Sequence, residues 1–343
     1  MFLLRLLFIL FVISFLSAAS AYFVYNKSLD QPLAISDHGL ILEIQKGQTL
    51  NSVLLTLEKQ EVLESLWPAK IYARLNHLGS QIRTGEFKLV APITLPELLR
   101  YISSNNQITY SIQFIEGSRS QDALAVLSSH EKLRHSLIGL SNKEIATRVG
   151  ISQAVDLEGQ FYPDTYHFHK GESDLDILKR AHKRLSTILE EEWKNRQKNL
   201  PLENSYQALI LASIIEKETG VPEERPEIAG VFVRRLQKKM RLQTDPTVIY
   251  GLGDSYQGNI TRKHLKQETP YNTYKISGLP PTPIALVGRA AIHAAVNPKP
   301  GKSLYFVAKG DGSHYFSESI SEHNKAVKKY QLTRRSDYRS SAQ

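Results

Sequence analysis

Two carboxylates close an apolar run at Gln207-Ala-Leu-Ile-Leu-Ala-Ser-Ile-Ile-Glu-Lys-Glu-Thr-Gly220. Nearly every residue from Ala208 to Ile215 is apolar, which predicts a largely buried helix. Asn204 and Ser205 are N-cap candidates, and Gly220 with Pro222 is a stop signal. At about 100° per residue, Leu211, Ile214 and Ile215 lie within roughly 60° of Glu218. Glu218 therefore continues the apolar stripe, while Glu216 falls beside Leu209 and Ser213. A carboxylate on an apolar face is desolvated, and the helix C-terminus adds negative potential; both raise its pKa. A carboxylic acid that holds its proton near neutral pH can act as a general acid. Glu218 is thus the candidate catalytic acid and Glu216 a solvated or structural partner. The competing expectation is that Glu218 pairs with a buried Arg or Lys and does no chemistry.

Several loops are rich in aromatic and polar residues. They include Leu157-Glu-Gly-Gln-Phe-Tyr-Pro-Asp-Thr-Tyr-His-Phe168, Arg241-Leu-Gln-Thr-Asp-Pro-Thr-Val-Ile-Tyr-Gly251 and Tyr271-Asn-Thr-Tyr-Lys-Ile-Ser-Gly-Leu-Pro-Pro-Thr-Pro-Ile284. Sugar rings stack on aromatic faces and bond to flanking polar groups, so such loops could line a glycan groove or simply pack a core. Ordinary glycosidases need two carboxyls. Asp245 is available as the second; one suffices if the substrate carries its own nucleophile. His167 and His169 would share a strand face, but no third ligand is evident, so no metal and no cofactor is expected.

The elements that must position these residues follow from the rest of the chain. Its 343 residues allow two or three domains. The formal charge of +9 favours an anionic partner such as lipid or an acidic wall polymer. No nucleic-acid motif is present, which puts nucleic acid last. With no cysteines, disulfides, thiolate metal sites and Cys nucleophiles are excluded. Leu6 to Tyr25 is an uncharged apolar stretch of membrane-spanning length preceded by Arg5. It predicts a retained single-pass anchor with the N-terminus in the cytoplasm; Ala19-Ser20-Ala21 would suit the alternative, a cleaved signal peptide. Alternation at 41–50, helical spacing at 51–60 and 67–75, a strand at 84–90 and a helix at 95–102 predict a small β-α-α-β unit. Beyond the polar break at 103–107 come a strand at 109–114 and helices at 120–127, 133–150, 174–197 and from 222 or 226 to 240. A helix at 290–296, a hairpin over 304–316 and a helix at 323–330 complete the α+β pattern.

Ser213-Ile-Ile-Glu-Lys-Glu-Thr219, Arg241 to Gly251, Tyr271-Asn-Thr-Tyr274, Gly278-Leu-Pro-Pro281 and Leu304-Tyr-Phe-Val307 together resemble the MltG (YceG-like) endolytic murein transglycosylases. Two departures are small: Thr282 where Gly is common, and extra proline over 220–226. The resemblance covers nearly the whole chain and implies an anchor at 6–25 after a cytoplasmic stub at 1–5, and a linker at 26–39. A LysM-like domain follows at 40–103, then a catalytic domain at 108–332 and a polar tail at 333–343. Lys46-Gly-Gln-Thr-Leu50 resembles the opening of LysM modules. The family places its catalytic carboxyl at the second glutamate, here Glu218. The implied reaction is non-hydrolytic cleavage between N-acetylmuramic acid and N-acetylglucosamine, leaving a 1,6-anhydro end, with one glutamate acting as acid and then base. Gln243, Asp245, Tyr250, Asn272 and Tyr274 are the expected groove residues. The expected partners are peptidoglycan strands, the membrane and peptidoglycan synthases. The expected place is the inner membrane, with the catalytic domain in the periplasm. The alternatives are a hydrolytic muramidase using Glu218 with Asp245, and a non-catalytic glycan-binding scaffold.

Overall fold

The computed structural model describes residues 2–152 and 156–332. The chain is mixed α+β and divides into two units. One comprises residues up to Tyr110 together with Glu131–Arg134 and His167–Glu172; the other holds the remainder. The polar tail expected at 333–343 lies outside the described residues.

The first unit begins with α1 (Phe2–Asp30), which is long and apolar enough to cross a membrane. Residues 2–24 of it are exposed. Next come β1 (Leu40–Ile44), α2 (Leu50–Lys59), α3 (Leu66–Leu75), β2 (Gly85–Leu89) and α4 (Leu95–Ser103). Thr49 accepts a hydrogen bond from Ser52 N to start α2, and Thr94 with Glu97 forms a capping box for α4. The two strands pair antiparallel from Leu40↔Leu89 to Ile44↔Gly85. Their inward residues Leu42, Ile44, Phe87 and Leu89 meet Val53, Leu54, Leu57, Leu98, Leu99 and Ile102 in one core.

β3 (Thr109–Gln113) and β4 (Thr165–His169) are divided between the two units, and the second unit holds α5 (Ser120–Ser129), α6 (Asn142–Val149) and α7 (Asp174–Lys194). After these run α8 (Ser205–Glu218), α9 (Arg225–Gln237), α10 (Asp245–Leu252), α11 (Arg262–Lys266), α12 (Arg289–Val296), β5 (Tyr305–Ala308), β6 (His314–Ser317) and α13 (Ile320–Val327). The strands form two-stranded pairs, β3 with β4 and β5 with β6. The hairpin turns through Gly310 and Gly312, whose φ angles of 92° and 91° suit glycine. Helices α7, α9, α10 and α12 surround α8, and their apolar side chains form the unit's main core.

One expectation needs correction, and one segment gains an assignment. Residues 133–141 are not helical: Gly139 has φ 78° and Ser141 caps a helix that begins only at Asn142. Residues 245–252 form a helix, with Pro246 in its first turn where a missing N–H costs nothing.

Candidate active site

Helix α8 starts where Asn204 Oδ1 accepts from Gln207 N at 2.9 Å. Every residue from Ala208 to Ile215 is buried. The helix therefore has no polar face, and angular position alone does not separate its two acids. It ends at Glu218 because Thr219 turns to extended φ −144°, ψ 136°, and the Thr219 hydroxyl accepts from Val221 N at 3.0 Å. Gly220 takes no left-handed cap.

The two acids differ in their partners. Glu216 has 4% side-chain exposure and pairs with Arg225 Nη2 at 2.8 Å. It also accepts from Gly288 N, the N-cap of α12, at 3.0 Å. Burial pushes its carboxyl up, against the pull of Arg225. Glu216 is thus the structural partner, tying the end of α8 to the starts of α9 and α12, and it is not solvated. Glu218 makes no ion pair among the described residues. Thr244, the N-cap of α10, donates its hydroxyl to Glu218 Oε1.

Burial pushes the Glu218 carboxyl up to about 7. The Thr244 hydroxyl and the Arg235 charge oppose this, and the Asp245 charge adds to it. Some of the side chain reaches solvent, yet protein crowds the carboxyl as densely as in the interior. The crowding governs the cost of charging it and the exposure tempers that cost. Arg235 makes no ion pair with Glu218, and its charge acts on the carboxyl only from a distance. It donates to the carbonyls of Leu304, Arg241 and Leu242 at 2.6, 3.2 and 2.8 Å and lies over the Tyr305 ring.

A cluster of threonines fixes the Thr244 hydroxyl in place. Thr244 N donates to Thr273 Oγ1 at 3.0 Å, and Thr247 donates to the Thr244 carbonyl at 2.8 Å. All three are buried to within 2%. This joins the start of α10 to the loop at 271–274.

The remaining expected groove residues fall into three groups. Asp245 and Gln243 are exposed beside this junction. Asp245 accepts from the Tyr274 hydroxyl at 2.7 Å, and burial with the Asp245 charge pushes the Tyr274 phenol up. Gln243 adopts φ 53° and donates its N–H to Thr273 O. Tyr250 lies at the other end of α10, its ring 4.8 Å from that of Tyr271 and beneath Arg119 at 5.0 Å. Asn272 lies inside the loop. It is 1% exposed, and its amide donates to the carbonyls of His264, Leu265 and Gln267. An amide nitrogen so occupied closes the loop, and Oδ1 accepts from Tyr274 N at 3.0 Å.

Sequence reasoning missed Thr244 and a further carboxyl, Glu158. Glu158 is 7% exposed, accepts from Ser120 N at 2.8 Å and Gly159 N at 3.1 Å, and receives the Tyr250 hydroxyl at 3.3 Å. Burial pushes it up as well. Its only sequence signal was an acid before a glycine in the aromatic segment.

The sequence pattern of the YceG-like family matches residues 42–329. The endolytic murein transglycosylase of Bacillus subtilis is 30% identical over 326 residues, covering 90% of this chain and 89% of that protein. The protein of the same name from Streptococcus pneumoniae is 26% identical, covering 92% of this chain and 64% of its own. A crystal structure of a yceG-like protein from Listeria monocytogenes superposes with a TM-score of 0.55 at 29% identity, over 84% of this chain and 99% of that one. With the family pattern running from the first strand to the last helix, the chain belongs to the YceG-like family.

Proposed function

We propose that this chain is an endolytic murein transglycosylase in which Glu218 is both acid and base. The observation that carries the reading is a carboxyl pushed up to about 7 and held by the Thr244 hydroxyl, with no ion pair among the described residues. Near neutral pH such a group is substantially protonated and can deliver that proton. Glu218 protonates the oxygen bridging C1 of N-acetylmuramic acid to N-acetylglucosamine, and the C1–O bond breaks. The muramyl C6 hydroxyl closes on C1 and gives its proton back to the carboxylate. The acid is regenerated, no water is consumed, and a 1,6-anhydro end remains. Thr244 holds the carboxyl's orientation, and Gln243, Asp245, Tyr274 and Tyr250 contact the glycan. The names of the Bacillus and Streptococcus relatives support this substrate and bond.

A hydrolytic muramidase is the second reading, favoured by the proximity of Asp245 to Glu218. Mass spectrometry of murein digested by the wild type and by Glu218→Gln separates them. Glycan ends lighter by one water, absent with the variant, are expected. Reducing ends would overturn the transglycosylase reading, and undiminished cleavage by the variant would remove Glu218 from the chemistry.

In the same reading α1 is a single-pass anchor in the inner membrane. Arg5 keeps the N-terminus cytoplasmic, the LysM-like unit at 40–103 binds glycan close to the membrane, and the domain at 108–332 cuts nascent strands beside their synthases. The β1-α2-α3-β2 order of the first unit supports the LysM-like assignment.

A further inference from the structure

Helix α3 presents an outward face with two chemistries. Trp67, Ile71 and Leu75 follow one another at i, i+4 and i+8 and are 38%, 42% and 68% exposed. Lys70 and Arg74, also exposed, lie along one side of that stripe. The opposite face, with Pro68, Ala69 and Ala73, is buried. An exposed arc that is basic along one edge and apolar along the other is the pattern of a helix lying in a membrane interface.

The position of this face relative to α1 says what covers it. The apolar run from Leu6 to Tyr25 is about 30 Å long at 1.5 Å per residue, the thickness of a bilayer's hydrocarbon core. Its last residue, Tyr25, has its ring centroid 6.0 Å from that of Trp67. Both belong to the same unit. If α1 crosses the bilayer, Trp67 sits at the depth where tryptophan is enriched, between acyl chains and headgroups. A cavity of about 410 Å³ opens at the basic edge, lined among others by Lys70, Arg74, His77 and Asn51. It offers donors of the kind a lipid phosphate accepts.

We propose that the exposed face of α3 docks on the surface of the bilayer that α1 crosses. Trp67, Ile71 and Leu75 enter the acyl boundary, and Lys70 and Arg74 engage the phosphates of anionic lipids. The inference rests on reading α1 as a retained anchor. Docking would hold the first unit flat against the membrane instead of letting it swing on α1.

The full chain is reconstituted in vesicles of phosphatidylcholine and phosphatidylglycerol with brominated acyl chains as quenchers. The sequence has two tryptophans and no cysteine. Trp193→Phe therefore isolates Trp67, and Leu75→Cys labelled with nitrobenzoxadiazole reports the far end of α3. Both probes should lose more than half their emission. Lys70→Ser with Arg74→Ser should cut the quenching at position 75 severalfold. A label at 75 that stays unquenched while Trp67 is quenched means that α3 stands off the bilayer, and the proposal fails. So it does if quenching at 75 ignores the two cations. Protein that does not float with the vesicles after an alkaline wash overturns the anchor reading itself, and this inference with it.

Discussion

Replacing Glu218 with Gln should end cleavage and at the same time stabilise the fold in alkaline solution. The carboxyl's ordinary value is 4.5, and burial raises it to about 7 in the folded chain. A group whose folded value is raised contributes fully below its unfolded value and loses that contribution as pH rises through the folded one. The window is therefore from 4.5 to about 7, and above it the folded chain carries the whole cost of a crowded charge. At about 1.4 kcal/mol per pH unit the difference sets an upper bound of about 3.4 kcal/mol. Solvent reaches part of the side chain, so about 1–2 kcal/mol is the expected size. Gln keeps the shape, can still accept the Thr244 hydroxyl, and is never charged. Thermal unfolding of the purified full chain in detergent should thus give matching midpoints near pH 4.5. At about pH 8.5 the variant should melt about 2–8 °C higher. An offset that does not change with pH would refute the reasoning, and so would a variant less stable throughout. Either result means that the carboxyl is charged and compensated, and the acid reading loses its physical basis.

Three other outcomes follow from the same contacts. The rate of murein cleavage should fall above about pH 7 as Glu218 loses its proton. Thr244→Val removes a donor that favours the charged form, so it should move this alkaline limb up by about one pH unit; an unmoved limb in the pH profile would separate Thr244 from the acid. Glu216→Gln removes the nearer charge beside Arg225, which has 11% side-chain exposure, and among the described residues leaves it the ion pair to Glu116 at 3.9 Å. A loss of about 2–3 kcal/mol is expected in denaturant unfolding, and a neutral result would mean the pair is solvated. Gly159→Ala places a Cβ 2.5 Å from Pro283 Cβ at φ 72°. About 2–4 kcal/mol should be lost; a variant within about 0.5 kcal/mol of wild type would show that the backbone there relaxes freely.

Much of the local structure is legible in the residue pattern because its causes are local. Asn204 caps α8, the apolar run at 208–215 buries it, and Gly310 and Gly312 turn the β5–β6 hairpin. Each of these depends on neighbours within a few residues. The segment at 133–141 misled because helical spacing was read through a glycine with positive φ and past the Ser141 cap. Helix α10 is not legible in the residue pattern, because Asp, Thr, Val and Ile all have modest helix propensity. It is helical where α8 and the 271–274 loop hold its first turn.

The two acids show where sequence stops. That α8 ends in Glu216 and Glu218, beyond an apolar run, is determined by the sequence alone. Which of them keeps its proton is not, because α8 is buried on every side and both carboxyls are desolvated. Residues distant in the chain decide it. Arg225 and Gly288 N reach Glu216, 9 and 72 positions away, and the Thr244 hydroxyl, 26 positions away, reaches Glu218. A cation beside a buried carboxyl favours its charged form, while a hydroxyl opposes the desolvation less, so the carboxyl is pushed up. That difference is a matter of which side chains packing brings together, so only the tertiary structure carries it.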